Sequence, residues 1–270
     1  MLRPLADVYG YLNPGMRVLM YHRVRTASTF DQLSVTPARF AEQIEFVAKR
    51  RVVRLSDVAT QLATGDRDPC VAITFDDGYL DNLTHALPIL ERFKVPATIF
   101  VTTTFCDQTA RHGRYPEESN RLHLTWDEVR QLAAHPLIDI GSHTRTHPFL
   151  SRVSEAQATV EIAQSRAELE TRLQKTVDLF CYPSGDLGAR EIRLVRQAGY
   201  RAAVTVAPGL NRPSTSPFAI RRTEVTDKDD VRTMADKLSG AYDLPHHLLH
   251  WRRERRFRSA RLASPETRLP

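Results

Sequence analysis

The run Val71-Ala72-Ile73-Thr74-Phe75, followed at once by Asp76-Asp77-Gly78, sets the frame for the chain. Four of its five residues are apolar, as in a strand covered on both faces of a parallel sheet. The Asp-Asp-Gly that stops it is turn chemistry, because Asp tolerates the bend and Gly supplies a positive φ. Outward from this point the same unit recurs. Upstream, residues 16–21 (MRVLMY) read as a strand, and Thr36-Pro37 opens a helix with Thr as N-cap and Pro at the first helical position. Phe40, Ile44 and Val47 give that helix one apolar face. Downstream, a helix is expected over 79–93, kinked or split by Pro88. A strand over 97–102 follows, and a helix opened by a Thr125/Glu128 capping box runs to residue 134. Then come a strand over 137–141, a long helix from a Ser154/Gln157 capping box to about 174, and a strand over 178–182. A helix over 189–198 closed by Gly199, strands over 201–206 and, more weakly, 219–222, and a helix over 229–239 complete the pattern. Strand–helix alternation implies a parallel α/β sheet with helices outside. The number of units suits a (β/α) barrel, a distorted seven-stranded one, with an open doubly wound sheet as the alternative.

On barrels the active site forms at the C-terminal ends of the strands, so the residues after each strand carry the functional information. These are His22-Arg23-Val24, Asp76-Asp77-Gly78, the hexapeptide Ser142-His143-Thr144-Arg145-Thr146-His147, and Pro183-Ser184-Gly185. Two carboxylates, three histidines and a Pro/Gly turn therefore share one face. His143 and His147 are four apart, so a helical turn would bring both imidazoles to one metal; surface or capping histidines have the same spacing. A carboxylate beside them makes a known catalytic set for a divalent ion. Adjacent aspartates leave the backbone in different directions. One can ligate while the other faces a metal-activated water as general base. The plain alternative for Asp76-Asp77 is the turn itself.

Thr74-Phe75-Asp76-Asp77-Gly78 together with His143-Thr144-Arg145-Thr146-His147 resembles the first two motifs of the polysaccharide deacetylases, the NodB-homology domain of carbohydrate esterase family 4. Leu19-Met20-Tyr21-His22-Arg23-Val24 looks like the poly-N-acetylglucosamine deacetylase-like subgroup. The resemblance implies a metal-dependent hydrolase that removes N-acetyl groups from a polysaccharide or lipid-linked glycan. It assigns Asp76 as catalytic base and Asp77, His143 and His147 as ligands of a divalent ion: zinc, with cobalt, nickel or manganese as alternatives. The third motif of the family, Arg-x-Pro-Tyr-Gly, meets Cys181-Tyr182-Pro183-Ser184-Gly185 here. The orienting arginine is thus missing, and Arg221 or Arg222 is the candidate replacement. The Ser184 amide can still serve an oxyanion, and Tyr182 and Arg222 join it as candidate substrate-side residues. His22 takes the general-acid role, its alternative being a packed, backbone-bonded histidine. Two other functions remain open at this stage: a catalytically impaired glycan-binding protein, motivated by the missing arginine, and an amidohydrolase of small non-sugar amides.

The 270 residues have 41% hydrophobic and 26% charged content, ordinary for a globular chain and unlike a disordered, collagenous or coiled-coil one. Neither a bilayer-spanning apolar run nor a secretory leader is read, and three scattered cysteines do not make a disulfide framework. The expectation is a cytoplasmic protein, peripheral at most to the inner membrane face. The net charge of +6 is concentrated in residues 250–270, where seven arginines face two glutamates. Residues 1–245 are read as the catalytic domain and 246–270 as a basic tail. With Leu248, Leu249, Trp251 and Phe257 among its arginines, that tail can form an amphipathic helix for an anionic membrane; the alternative is a solvated end. No nucleic-acid partner is expected, since the basic charge sits on an appendage and not on a folded face.

Overall fold

A computed structural model of the chain describes residues 15–27, 29–108, 110, 112–115, 121–241 and 243; the basic tail lies outside the described residues. β1 (Met16–Tyr21) is followed by a small parallel pair, β2 (Arg23–Val24) and β3 (Ser34–Val35). The main sheet adds β4 (Cys70–Phe75), β5 (Ala97–Val101), β6 (Ile138–Ser142), β7 (Leu179–Cys181), β8 (Ala202–Val204) and β9 (Thr223–Glu224). Its order is β8-β7-β6-β5-β4-β1-β9, with every pairing parallel. The sheet does not stay open. Ile220 bridges Val204 on one edge, and three residues later Thr223 pairs with Leu19 on the other. The weak strand expected over 219–222 therefore passes the chain from one edge to the other, and the sheet curls into a distorted barrel.

The two-residue period of β4 sorts its side chains. Val71, Ile73 and Phe75 belong to the outer core with Leu19, Tyr21 and Phe40, whereas Cys70 and Ala72 join Val18, Phe100, Leu179 and Val204 inside the barrel. Thr74 and Asp76 continue the inward row, so Asp76 stands at the top of the barrel interior.

The helices follow their caps. α1 (Pro37–Ala48) starts at Thr36 and buries Phe40, Ile44 and Val47 as its pattern requires. α2 (Leu55–Thr64) has no signal that was read from sequence, because Arg54 and not a Ser, Thr, Asp or Asn precedes it. Its Leu55, Val58 and Leu62 pack with Met16, Val18 and Cys70 at the starts of the strands, closing the bottom of the barrel. Pro88 neither breaks nor splits its helix. The turn before it widens to a π-helix over Asn82–Ala86 and continues into α3 (Leu87–Phe93). After the short α4 (Thr103–Cys106), α5 (Trp126–Ala134) and α6 (Glu155–Leu173) begin at the two expected capping boxes. α7 (Ala189–Gln197) and α8 (Val231–Ser239) complete the ring. All three cysteines are buried free thiols. No helix among the described residues is long and apolar enough to cross a membrane.

Candidate active site

The turn after β4 is made by two left-handed residues in a row, Asp77 at φ 70° and Gly78 at φ 60°. The turn chemistry and the site chemistry thus belong to the same residues. The turn aims the Asp77 carboxylate at the loop after β6. There Oδ1 of Asp77 lies 3.4 Å from Nε2 of His143 and 3.4 Å from Nε2 of His147. The loop is not the helical turn expected from the i, i+4 spacing. Thr144 (φ 66°) and His147 (φ 60°) turn it in the left-handed region, and the Glu161 carboxylate accepts the amides of Arg145 and Thr146. The imidazoles converge because this loop is pinned, not because of helix periodicity.

The residues fit a cation. Oδ1 of Asp77 is buried and has no hydrogen-bond partner, an arrangement that costs free energy unless something positive sits beside it. The two Asp77-to-imidazole separations of 3.4 Å match the edge of a tetrahedron whose ligand bonds are about 2.0–2.1 Å, the range for zinc. His143 is oriented as ligands are: its Nδ1 donates to the Cys181 carbonyl at 2.8 Å, which leaves Nε2, facing Asp77, as the nitrogen that could ligate. Burial pushes His147 down to about 4, which keeps its imidazole neutral and able to ligate.

Asp76 points elsewhere. Its carboxylate is gripped by both terminal nitrogens of Arg222, Nη1 to Oδ1 at 2.6 Å and Nη2 to Oδ2 at 2.7 Å. Arg222 is fully buried and anchored in turn by the Thr205 carbonyl, Thr74 Oγ1 and Cys181 Sγ. Burial by itself raises the Asp76 carboxyl, but the guanidinium outweighs it and holds the group below its ordinary range. Of the two arginines considered for the missing third-motif residue, Arg222 is the one that reaches. It contacts Asp76, so it positions that carboxylate, and it also lines the cleft. Cys181, at the motif's arginine position, leaves room for the guanidinium.

His22 Nε2 lies 4.0 Å from Oδ2 of Asp76. Asp76, Asp77, His22, His143, His147 and Ser184 all line one cleft of about 510 Å³. Ser184 lies at φ 54° in the turn after β7, followed by Gly185 at φ 67°, whose absent Cβ would strike Val206. Tyr182 does not join them. Its ring is buried and its hydroxyl donates to the Phe218 carbonyl at 3.1 Å, because the strand period turns it outward, away from the cleft.

The family profile described as Polysaccharide deacetylase matches residues 63–203, just over half of the chain. The chain belongs to the polysaccharide deacetylase family. YxkH of Bacillus subtilis, which carries the same family description, is 28% identical over 213 residues, spanning 77% of this chain and 71% of that protein. A poly-beta-1,6-N-acetyl-D-glucosamine N-deacetylase of Escherichia coli K12 is 23% identical over 221 residues; the match covers 65% of this chain but a third of that protein (33%). Among solved structures, IcaB from Ammonifex degensii superposes with a TM-score of 0.71 at 26% identity, covering 84% of this chain and 97% of that one. Streptococcus pyogenes PplD, solved with acetate, gives a TM-score of 0.73 at 20% identity over 83% and 99% of the two chains, a likeness of fold alone.

Two more histidines that no motif announced belong to this region: His112 lines the cleft, and His123 is buried beside it against Asp77. They lie in the stretch between α4 and α5, which has neither helical nor strand periodicity. His123 Nδ1 donates to the Asp77 carbonyl at 3.1 Å, and its Nε2 accepts the His112 amide at 3.0 Å. Both bonds require a neutral ring, and burial pushes His123 down to about 4. Unfolded, the same ring takes a proton near 6.5. Between those values the unfolded chain holds more protons, so acid favours unfolding, by up to about 3 kcal/mol from this residue. Urea unfolding of the metal-free chain should show stability falling as pH drops from 7 toward 4, with a shallower fall in His123→Gln. Equal slopes in the two chains would contradict the assignment.

Proposed function

We propose that the chain is a metal-dependent hydrolase that removes N-acetyl groups from an N-acetylated sugar polymer and releases acetate. One observation carries this reading. Two imidazole nitrogens, Nε2 of His143 and Nε2 of His147, each lie 3.4 Å from Asp77 Oδ1, a buried oxygen with no hydrogen-bond partner, and beside them a second carboxylate, Asp76, is held by Arg222. The substrate class is supported by relatives in Escherichia coli and Staphylococcus aureus named for poly-beta-1,6-N-acetyl-D-glucosamine.

Asp77, His143 and His147 would hold the ion, zinc in the first instance. Bound there, a divalent ion supplies a Lewis acid and brings the pKa of water from 15.7 to near 7. The chain's residues do the rest. Asp76, ionised and held at a fixed angle by Arg222, accepts the proton of the attacking water. The Ser184 amide donates to the acyl oxygen as it gains charge; the neighbouring amides of Gly185 and Asp186 are already spent on Tyr182 and Pro183. His22, in the cleft wall and 4.0 Å from Asp76, protonates the departing amine, which is otherwise a poor leaving group. The non-catalytic alternative rested on the arginine absent from the third motif, and Arg222 on Asp76 removes that motive.

The test is acetate release from poly-β-1,6-N-acetylglucosamine by the purified chain, before and after stripping with a chelator. Activity should be lost with the ion and return on adding zinc, cobalt or manganese. Undiminished acetate release by an ion-free chain would overturn the reading.

A further inference from the structure

The cleft holds a histidine that the mechanism above leaves unused. One ring nitrogen of His112 converges with the donor atoms of Asp77 and His147, all within 4.8 Å of one another. Distance alone would make His112 a fourth ligand, but its hydrogen bonds argue otherwise. A ligating imidazole offers one lone pair and carries its proton on the other nitrogen, donated to a carbonyl or carboxylate. His143 obeys this, with Nδ1 on the Cys181 carbonyl. His112 is set the opposite way. Its Nδ1 accepts the amide N–H of Arg114 at 3.3 Å. A neutral ring then carries its proton on Nε2, the nitrogen left for the cleft, and that nitrogen is a donor with no lone pair to give.

The turn that presents this donor is fastened on both sides. The His112 amide is held by His123, which is itself bonded to the Asp77 carbonyl. Two and three residues on, Arg114 Nε and the Tyr115 hydroxyl both bond to the Asp31 carboxylate, at 3.2 and 2.6 Å. The backbone of the metal-site aspartate and the position of the His112 ring are therefore mechanically linked through one neutral histidine.

We propose that His112 is a catalytic hydrogen-bond donor: its Nε2–H bonds the acyl oxygen of the scissile N-acetyl group and tightens on that oxygen as it becomes the tetrahedral oxyanion. No proton is transferred; the bond is made stronger in the transition state than in the bound substrate, so its removal lowers kcat more than it raises KM. This rests on the deacetylase reading and adds a side-chain donor to the Ser184 amide.

His112→Ala should keep one zinc per chain with unchanged affinity, yet lose about 10²–10³-fold in kcat with KM little altered. His112→Gln, whose side-chain N–H can donate but cannot act as an acid, should recover about tenfold or more over the alanine variant. Long-range ¹H–¹⁵N spectra of the zinc-loaded parent should show His112 as a neutral, Nε2-protonated ring, distinct from the metal-bound pattern of His143 and His147. Loss of zinc from His112→Ala, a metal-bound His112 signal, or unchanged kcat would each overturn the proposal. A zinc-loaded parent that released no acetate would instead sink the deacetylase reading, and the donor role with it.

Discussion

Asp76→Asn is expected to bind its divalent ion as the parent chain does and to release acetate at least about 10³-fold more slowly. Asparagine has nearly the same shape and keeps one oxygen for the Arg222 guanidinium; it leaves that buried charge unbalanced, so some stability should be lost while the cleft keeps its form. It loses basicity, because an amide oxygen cannot take a proton from water near neutral pH. Both oxygens of Asp76 are committed to Arg222, although its carboxylate comes within 4.8 Å of a His143 ring nitrogen, so the ion held by Asp77 and the histidines should be retained. Asp77→Ala makes the contrast. It removes the oxygen that sits 3.4 Å from both imidazoles, and ion and turnover should vanish together. Elemental analysis and initial rates on the two variants separate base from ligand. Full activity in Asp76→Asn would refute the base assignment.

Arg222→Leu should be the most destabilising single change at the site. It strands the Asp76 carboxylate, 3% exposed, without its cation, and breaking a buried pair from one side costs about 3–5 kcal/mol. The carboxyl should then move up, since the burial that already opposes its charge is no longer outweighed. Whatever activity survives should accordingly have its acid limb shifted to higher pH. Restoring an arginine at the motif position offers a second arm. Cys181 Sγ already lies 3.5 Å from Asp76 Oδ2 and 3.2 Å from Arg222 Nη2, so a guanidinium arriving from β7 enters the volume that Arg222 vacates. The double variant Arg222→Leu, Cys181→Arg should regain part of both the lost stability and the lost rate. Chemical denaturation and pH–rate profiles check both effects. A double variant no better than Arg222→Leu would show that the two positions are not interchangeable anchors.

Much of the site was legible because its parts follow directly on strands. The apolar period of each strand and its abrupt polar end place Asp76, Asp77, His22, His143 and Ser184 on one face without reference to any distant residue. The local geometry was less legible. The i, i+4 spacing of His143 and His147 suggested a helical turn, whereas two left-handed residues and the Glu161 carboxylate bring the rings together. Tyr182 was assigned to the substrate side from its place in a motif, and its strand position buries it instead. His112 and His123 lie in a stretch with no periodicity to read, and their roles come from hydrogen bonds to Asp77, Arg114 and each other.

The amino-acid order alone determined a parallel α/β chain with two carboxylates and three histidines at the strand ends, because strand period and turn preference are local properties of the backbone. Which arginine would steady Asp76 could not be local. Asp76 and Arg222 are 146 positions apart, and they meet only because Ile220 and Thr223 carry the chain across the gap between β8 and β1. Closure of the barrel, a matter of packing over the whole sheet, made that choice.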